Sequence, residues 1–448
     1  MKRSSIYLVT ILLFIAATGF IILRYNKSGD KKSVTGYSLL ERKEPSAATE
    51  EWKETRKRAA NLLEIIKYNP TDTKSMISLA GIFIQEARIT GNYMYYDMAA
   101  MKYVNTVLSR DSSNFNALTL KSLIYLSQHH FADGLAIAEK AKAVNPYNSF
   151  VYGILVDANV EMGNYDSAVA NADKMVSIRP DIRSYSRISY LREIYGDYPG
   201  AIEAMKMAVE AGLPGDEATE WSRVQLGRLY ESTGDIKIAQ MQYQISLDAR
   251  PSYAYALAGM GRIDATNGDY AKAISNYMEA DSLVNDYSFK EELSDLYALS
   301  GEKEKSQTIA KQVIDGMSAD AEAGRNNDNI GHYADRELAY AYLKVKNYDK
   351  AIEHAMAEYN RRPDNIDVNE TVAWTLYSAG NYDKALPYMK LALKTGSKNP
   401  TLLCRAGLLY NKTGDKLAAK ALLKQALNGN SQMAVSLKKE GMDTLASL

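Results

Sequence analysis

A small residue returns about every 34 positions through most of this chain, and that period restricts the fold more than any other feature. The residues are Ala99, Gly134, Ala168, Ala201, Ala239, Ala273, Ser306, Ala351, Ala385 and Ala419, at spacings of 35, 34, 33, 38, 34, 33, 45, 34 and 34. Five residues before most of them stands a glycine: Gly163, Gly196, Gly234, Gly268, Gly301, Gly380 and Gly414. An acidic or amide residue and then an aromatic usually follow, as in Gly163-Asn164-Tyr165, Gly268-Asp269-Tyr270 and Gly380-Asn381-Tyr382. A unit of this size cannot bury its apolar face alone and must stack on its neighbours. The chain is therefore expected to be an α-solenoid and not the row of about three compact domains that 448 residues would otherwise suggest.

The unit can be read residue by residue. Val224, Leu226, Leu229 and Tyr230 recur at helical spacing and predict a first helix with one apolar face. Gly234 ends it where a positive φ is needed, and Asp235 is placed to cap the next helix. The second helix runs through Ala239, Tyr243 and Ser246, and Pro251 prevents its continuation. The small residue near the start of the second helix falls where the two helices cross closest and a large side chain cannot fit. Two spacings exceed the period, which places extra residues near Gly212 to Asp216 and Asp315 to Ile330. The second of these is expected to lengthen its helix and then form a polar loop at Asn326-Asn327-Asp328-Asn329.

With the unit described, its pattern resembles the tetratricopeptide repeat, whose consensus sets a Leu-Gly pair and a Tyr in the first helix, a small residue and an aromatic in the second, and a closing Pro. The fullest copy is Leu226, Gly227, Tyr230, Ala239, Tyr243 and Pro251. Partial copies are Tyr152, Leu155, Ala168 and Pro180; Leu338, Ala339, Tyr342, Ala351 and Pro363; and Gly407, Tyr410 and Ala419. Ten such units in phase cover residues 77 to about 430. The resemblance implies an all-α, right-handed solenoid. Longer blocks, such as 184–190 and 218–227, look like those of exported or membrane-anchored bacterial repeat proteins of unassigned function.

The remainder of the chain divides around this array. Ile6 to Leu23 is an uncharged run of eighteen residues between Lys2-Arg3 and Arg24. It spans about 27 Å as a helix, close to a hydrocarbon core of roughly 30 Å. Residues 1–27 are thus expected to be a signal anchor or a signal peptide, with Ala17-Thr18-Gly19 as the small residues of a cleavage site. The basic residues after the run favour repeats kept in the cytoplasm, whereas the short basic tail before it favours export, so the side of the membrane stays open. Residues 28–50 read as a linker, 51–76 as an N-terminal capping helix, 77–430 as the array and 431–448 as a C-terminal cap or tail.

The chemistry that would mark an enzyme is missing from the sequence. His129, His130, His332 and His354 form no metal-binding spacing, and His129-His130 occupy the slot that other repeats fill with a glycine turn. Phosphate-binding glycine loops and nucleophile elbows do not occur. Cys404 is the single cysteine. The net charge of zero leaves no basic footprint for nucleic acid. Residues 1–60 hold twelve Lys and Arg against six Asp and Glu, so the rest of the chain carries −6. No cofactor, metal, nucleic acid or small-molecule substrate is expected.

Function should lie in the concave face, where the tetratricopeptide resemblance implies that first helices receive extended peptides. The repeat positions put Arg183, Tyr190, Trp221, Arg228, Tyr255 and Arg262 on three successive first helices, facing inward. Arg228 and Arg262 hold one position in adjacent repeats and Tyr190 holds it one repeat earlier. The guanidinium forks suit carboxylates, and the aromatics give rigid contact area. The competing reading pairs these Arg with Glu193 and Glu231 as a solvated ladder. The expectation is a non-enzymatic scaffold at the cell envelope, holding proteins or extended peptides, acidic ones among them. The alternatives are a soluble intracellular or co-chaperone-like adaptor, and a non-catalytic subunit of an enzyme.

Overall fold

The computed structural model describes residues 37–325, 331–428 and 433–448. Among them lie 22 α-helices, one 3-10 turn and no strand. Ten helical hairpins run from Thr73–Thr90 with Tyr93–Leu108 to Pro400–Lys412 with Lys416–Ala426. Glu50–Tyr68 precedes the first hairpin and Val435–Ser447 follows the last. Ile6–Leu23 lies outside the described residues, and among those described no helix is long and apolar enough to cross a membrane.

The hairpins form for the reasons the period suggested. Ala99, Ala168, Ala201, Ala239, Ala273, Ala351, Ala385 and Ala419 are all fully buried. Each lets two helix backbones approach at the crossing. In three hairpins a serine of the first helix donates to the carbonyl of the small residue twelve positions on: Ser122 to Gly134, Ser189 to Ala201 and Ser294 to Ser306. The turns within hairpins carry positive φ at Gly163, Gly234, Gly268 and Gly380, and His129 adopts φ 61° in their place. Asp197, Asp269 and Asp415 cap the helices that follow. Asp235 does not cap; its carboxylate instead accepts from Thr233 Oγ1. Several tyrosines bury their rings and spend their hydroxyls on structure, as Tyr96 does on Leu40, Tyr165 on Ile366 N and Tyr243 on Glu231. The Tyr243 ring slots between two first helices, where a Cβ on Gly227 would sit 2.6 Å from its Cζ and one on Gly259 2.7 Å away.

The two irregular spacings have distinct outcomes. The extra residues before Glu217–Thr233 make a turn through Gly215, whose φ is 86°. Those after Lys303 lengthen that second helix to Lys303–Arg325, and the polar stretch 326–330 lies outside the described residues. Part of the stretch read as a linker packs on the array. Arg42 is buried in a pair with Glu86, Leu40 N donates to Tyr96 Oη, and Tyr37 meets the Tyr95 ring edge-on.

The solenoid coils so tightly that it touches itself about 200 residues later. Arg250 reaches Glu51 at 2.8 Å, and Asn285 N donates to Thr90 O at 3.0 Å. Tyr333 N donates to Gln128 O at 3.1 Å. Asn365 Nδ2 donates to the carbonyls of Val160 and Glu161, Ile366 N donates to Tyr165 Oη, and Arg362 pairs with Glu161. Gly396 abuts Gly196. The offsets by subtraction run from 195 to 205, or about six repeats per superhelical turn. At four of these rungs the turn within one hairpin meets the turn between two later hairpins; at the first, Arg250 meets the start of the helix Glu50–Tyr68.

Candidate functional site

The first helices face inward, and the space they enclose is a cavity of about 1150 Å³. Its wall includes Arg88, Asp157, Arg183, Tyr190, Trp221, Arg228, Arg262 and Glu292, contributed by six different first helices. A second hollow of about 660 Å³ shares Gln85, Glu217 and Ala218 with it and extends it toward Arg42 and Phe150. Successive first helices present successive rows of side chains, so the lumen is lined by a spiral of charged and aromatic groups.

Five of the six residues singled out in the sequence line this lumen: Arg183, Tyr190, Trp221, Arg228 and Arg262. Tyr255 does not. Its ring lies between Tyr253 at 5.7 Å and Phe289 at 5.6 Å, within the packing between two repeats. A tyrosine near the N-terminal end of a first helix is turned toward the neighbouring repeat, which the repeat register alone could not distinguish from a lumen position.

The three arginines are not equivalent. Arg262 is neutralised: Nε and Nη2 hold Glu231 at 3.0 and 3.1 Å, and Nη2 also donates to Tyr243 Oη. It belongs to the ladder and closes the polar end of the Tyr243 slot. Arg183 has no carboxylate in ion-pair reach among the described residues and lies over the Phe150 ring at 5.3 Å. Burial lowers its pKa, nearby Asp181 partly offsets this, and neighbouring Arg187, Arg88 and Arg179 lower it further. Arg228 is exposed to the lumen and likewise has no ion-pair or hydrogen-bond partner among the described residues. Between them stand Tyr190 and Trp221, 40% and 36% exposed. Tyr190 touches lumen space yet is ringed by protein, and that desolvation raises its phenol well above 10.

Carboxylates that the sequence did not single out as a group face the same space. Glu193 and Glu292 are unpaired among the described residues, and burial raises both above the usual carboxylate range, with Arg228 partly offsetting the effect at Glu193. The adjoining Glu291, which is not part of the lumen wall, is pushed to about 7, chiefly by burial and only partly relieved by Lys344. The free arginines therefore face a lumen of mixed sign and not a uniformly basic strip. The sequence named Glu193 as a ladder partner of these arginines, and it follows Tyr190 by three residues on one helix face. Among the described residues no group of three or more His, Cys, Asp or Glu could hold a metal. Cys404 is buried beneath Gly441, with its thiol raised to about 11 by burial.

Family models of the tetratricopeptide repeat match residues 224–282 and 400–430. These two segments are tetratricopeptide repeats. The first match contains Arg228, Tyr243 and Arg262, so the lumen wall is built from the repeat itself. Small glutamine-rich tetratricopeptide repeat-containing protein 2 of Saccharomyces cerevisiae is 34% identical over 101 residues, which are 22% of this chain and 28% of that protein. The chain thus spans under a third of the length of that relative. Among solved structures, the human IFIT1 dimer with m7Gppp-AAAA is similar with a TM-score of 0.48 and 12% identity, over 77% of this chain and 78% of that one. The APC/C hetero-tetramer Cut9-Hcn1 is similar with a TM-score of 0.38 and 11% identity, over 89% and 93%. Neither likeness bears on function.

Proposed function

We propose that this protein is a non-catalytic scaffold that holds an extended segment of a partner protein in its lumen, at the cell envelope. The observation that carries the reading is the pair of free guanidiniums, Arg183 and Arg228, beside the exposed rings of Trp221 and Tyr190. Both side chains are exposed to the lumen and hold no carboxylate, so a ligand can take them without breaking an existing ion pair. Carboxylates of an acidic segment are the matching chemistry, taken bidentately by the forks, while the rings cover its apolar atoms. Envelope attachment rests on the apolar run Ile6–Leu23 and its basic flanks.

The test uses the full chain and a fluorescein-labelled glutamate-rich decapeptide. The doubly substituted variant Arg183→Gln with Arg228→Gln should lose binding at least tenfold and keep its helicity and melting temperature. The wild-type affinity should fall with added salt, since lumen charges are screened over about 8 Å at physiological ionic strength. Undiminished binding by the variant would refute the role of the two arginines. Retention in membranes through a carbonate wash would support attachment by residues 6–23.

A further inference from the structure

The self-contacts of the coil decide how anything reaches the lumen. Five rungs, at Arg250, Asn285, Tyr333, Asn365 and Gly396, join one turn of the superhelix to the next. They are not loose touches. Ile366 is buried in one apolar cluster with Val156, Val160, Leu191 and Ile194, from helices some 200 residues earlier. Arg362 is buried at the same rung, paired with Glu161 and stacked over the Phe131 ring at 4.3 Å.

The glycines of the turns record the same closure. Gly163 and Gly380 both have φ +79°, yet they differ in what surrounds them. A Cβ on Gly380 would meet nothing within 4 Å. A Cβ on Gly163 would lie 2.7 Å from Asn365 N, one on Gly91 2.7 Å from the Asn285 carbonyl carbon, and one on Gly196 2.6 Å from Gly396 O. The three glycines at rungs are required twice over, for backbone conformation and for the approach of a distant backbone. Gly268, Gly301, Gly380 and Gly414 are required only for conformation.

The bore follows from geometry. Six first helices per turn at roughly 10 Å spacing set their axes about 10 Å from the centre. Their side-chain radius of about 5 Å leaves an opening of about 10 Å. That width takes one extended chain, which needs about the 10 Å spacing of stacked sheets, and excludes a folded domain.

Resting on the peptide-holding reading above, we propose that the lumen is closed along its sides and loads from its ends, so that the partner must present a free, unfolded polypeptide terminus. An internal loop held between two folded domains cannot enter. This restricts the partner class to chains with an accessible disordered end.

The experiment uses the full chain as bait for a random twelve-residue peptide presented in three ways. One library is fused so that its C-terminus is free, a second so that its N-terminus is free, and a third is inserted between two folded carrier domains. Sequences should be selected from a free-end library, and each should bind at least tenfold more weakly when moved into the insert format. Equal binding in the insert format overturns end-loading while leaving the peptide-holding reading intact. Selection of nothing in any format overturns both. Gly163→Asn and, independently, Gly196→Asn supply the second arm, since Asn tolerates positive φ but its Cβ would strike the opposite rung. Either variant should open the side and let the insert format bind, whereas Gly380→Asn should change nothing. Unchanged discrimination in both seam variants, with their helicity retained, would also refute the closed wall.

Discussion

His332 should make the coil's self-contact sensitive to acid. Its ring stands 4.2 Å from that of His129, and its neighbour Tyr333 stacks on His130 at 4.0 Å, so three of the four histidines meet at one rung. Burial, and then His129, depress its pKa from 6.5 to about 3, with Glu337 opposing. A base with a depressed folded pKa gives stability that is whole above 6.5 and is lost as pH falls toward 3, because the opened chain takes a proton that the closed one refuses. At pH 5 the difference is 1.5 units below the opened-state value of 6.5, or about 2 kcal/mol at 1.36 kcal/mol per unit. That is roughly a 30-fold rise in the opening equilibrium. The assay is hydrogen exchange of the Tyr333 amide, which donates to Gln128 O across the rung. Its opening free energy, corrected for intrinsic exchange, should drop by about 2 kcal/mol from pH 7 to pH 5 in the wild type. His332→Asn should remove most of that slope, and the raised or lowered carboxylates nearby cancel in the comparison. An equal slope in His332→Asn would refute the assignment.

Other changes have defined outcomes. Ala239→Leu, at a fully buried crossing, should destabilise by about 1–3 kcal/mol in urea denaturation; an unchanged midpoint would place the crossing elsewhere. Gly259→Ala should cost a similar amount, on the order of 1–3 kcal/mol, because the added methyl meets the Tyr243 ring. Arg262→Gln should lower stability more than Arg228→Gln, since only Arg262 neutralises the buried Glu231, and thermal melts of the two single variants measure the difference.

Much of this architecture was legible in the sequence because each repeat repeats its own local physics. Buried Ala239 and positive φ at Gly234 follow from one hairpin's needs and recur along the array. Lumen-facing Arg183 and Arg228 followed from the same phase. Tyr255 did not, because its direction is set by contact with Phe289 in the next repeat. The fate of Arg262 was also hidden: whether a guanidinium pairs with Glu231 or stays free depends on the approach of two adjacent first helices. The self-contacts were least visible of all. Gly163 and Gly380 are identical as local sequence and conformation, and only the accumulated rotation of six repeats brings Asn365 onto the first and nothing onto the second. Small rotations summed over an array carry no residue signature.

The closure of the coil can be tested directly by oxidative trapping of Thr90→Cys with Asn285→Cys in the full chain with Cys404→Ala. The backbone hydrogen bond between these positions brings the two chains within the Cα separation that a disulfide spans, about 4.4–6.8 Å. Mild oxidation followed by peptide mass spectrometry should recover the linked pair in high yield at dilute protein concentration, as an intramolecular product. A double variant that stays reduced, or that links only between molecules, would contradict a solenoid that closes on itself every six repeats.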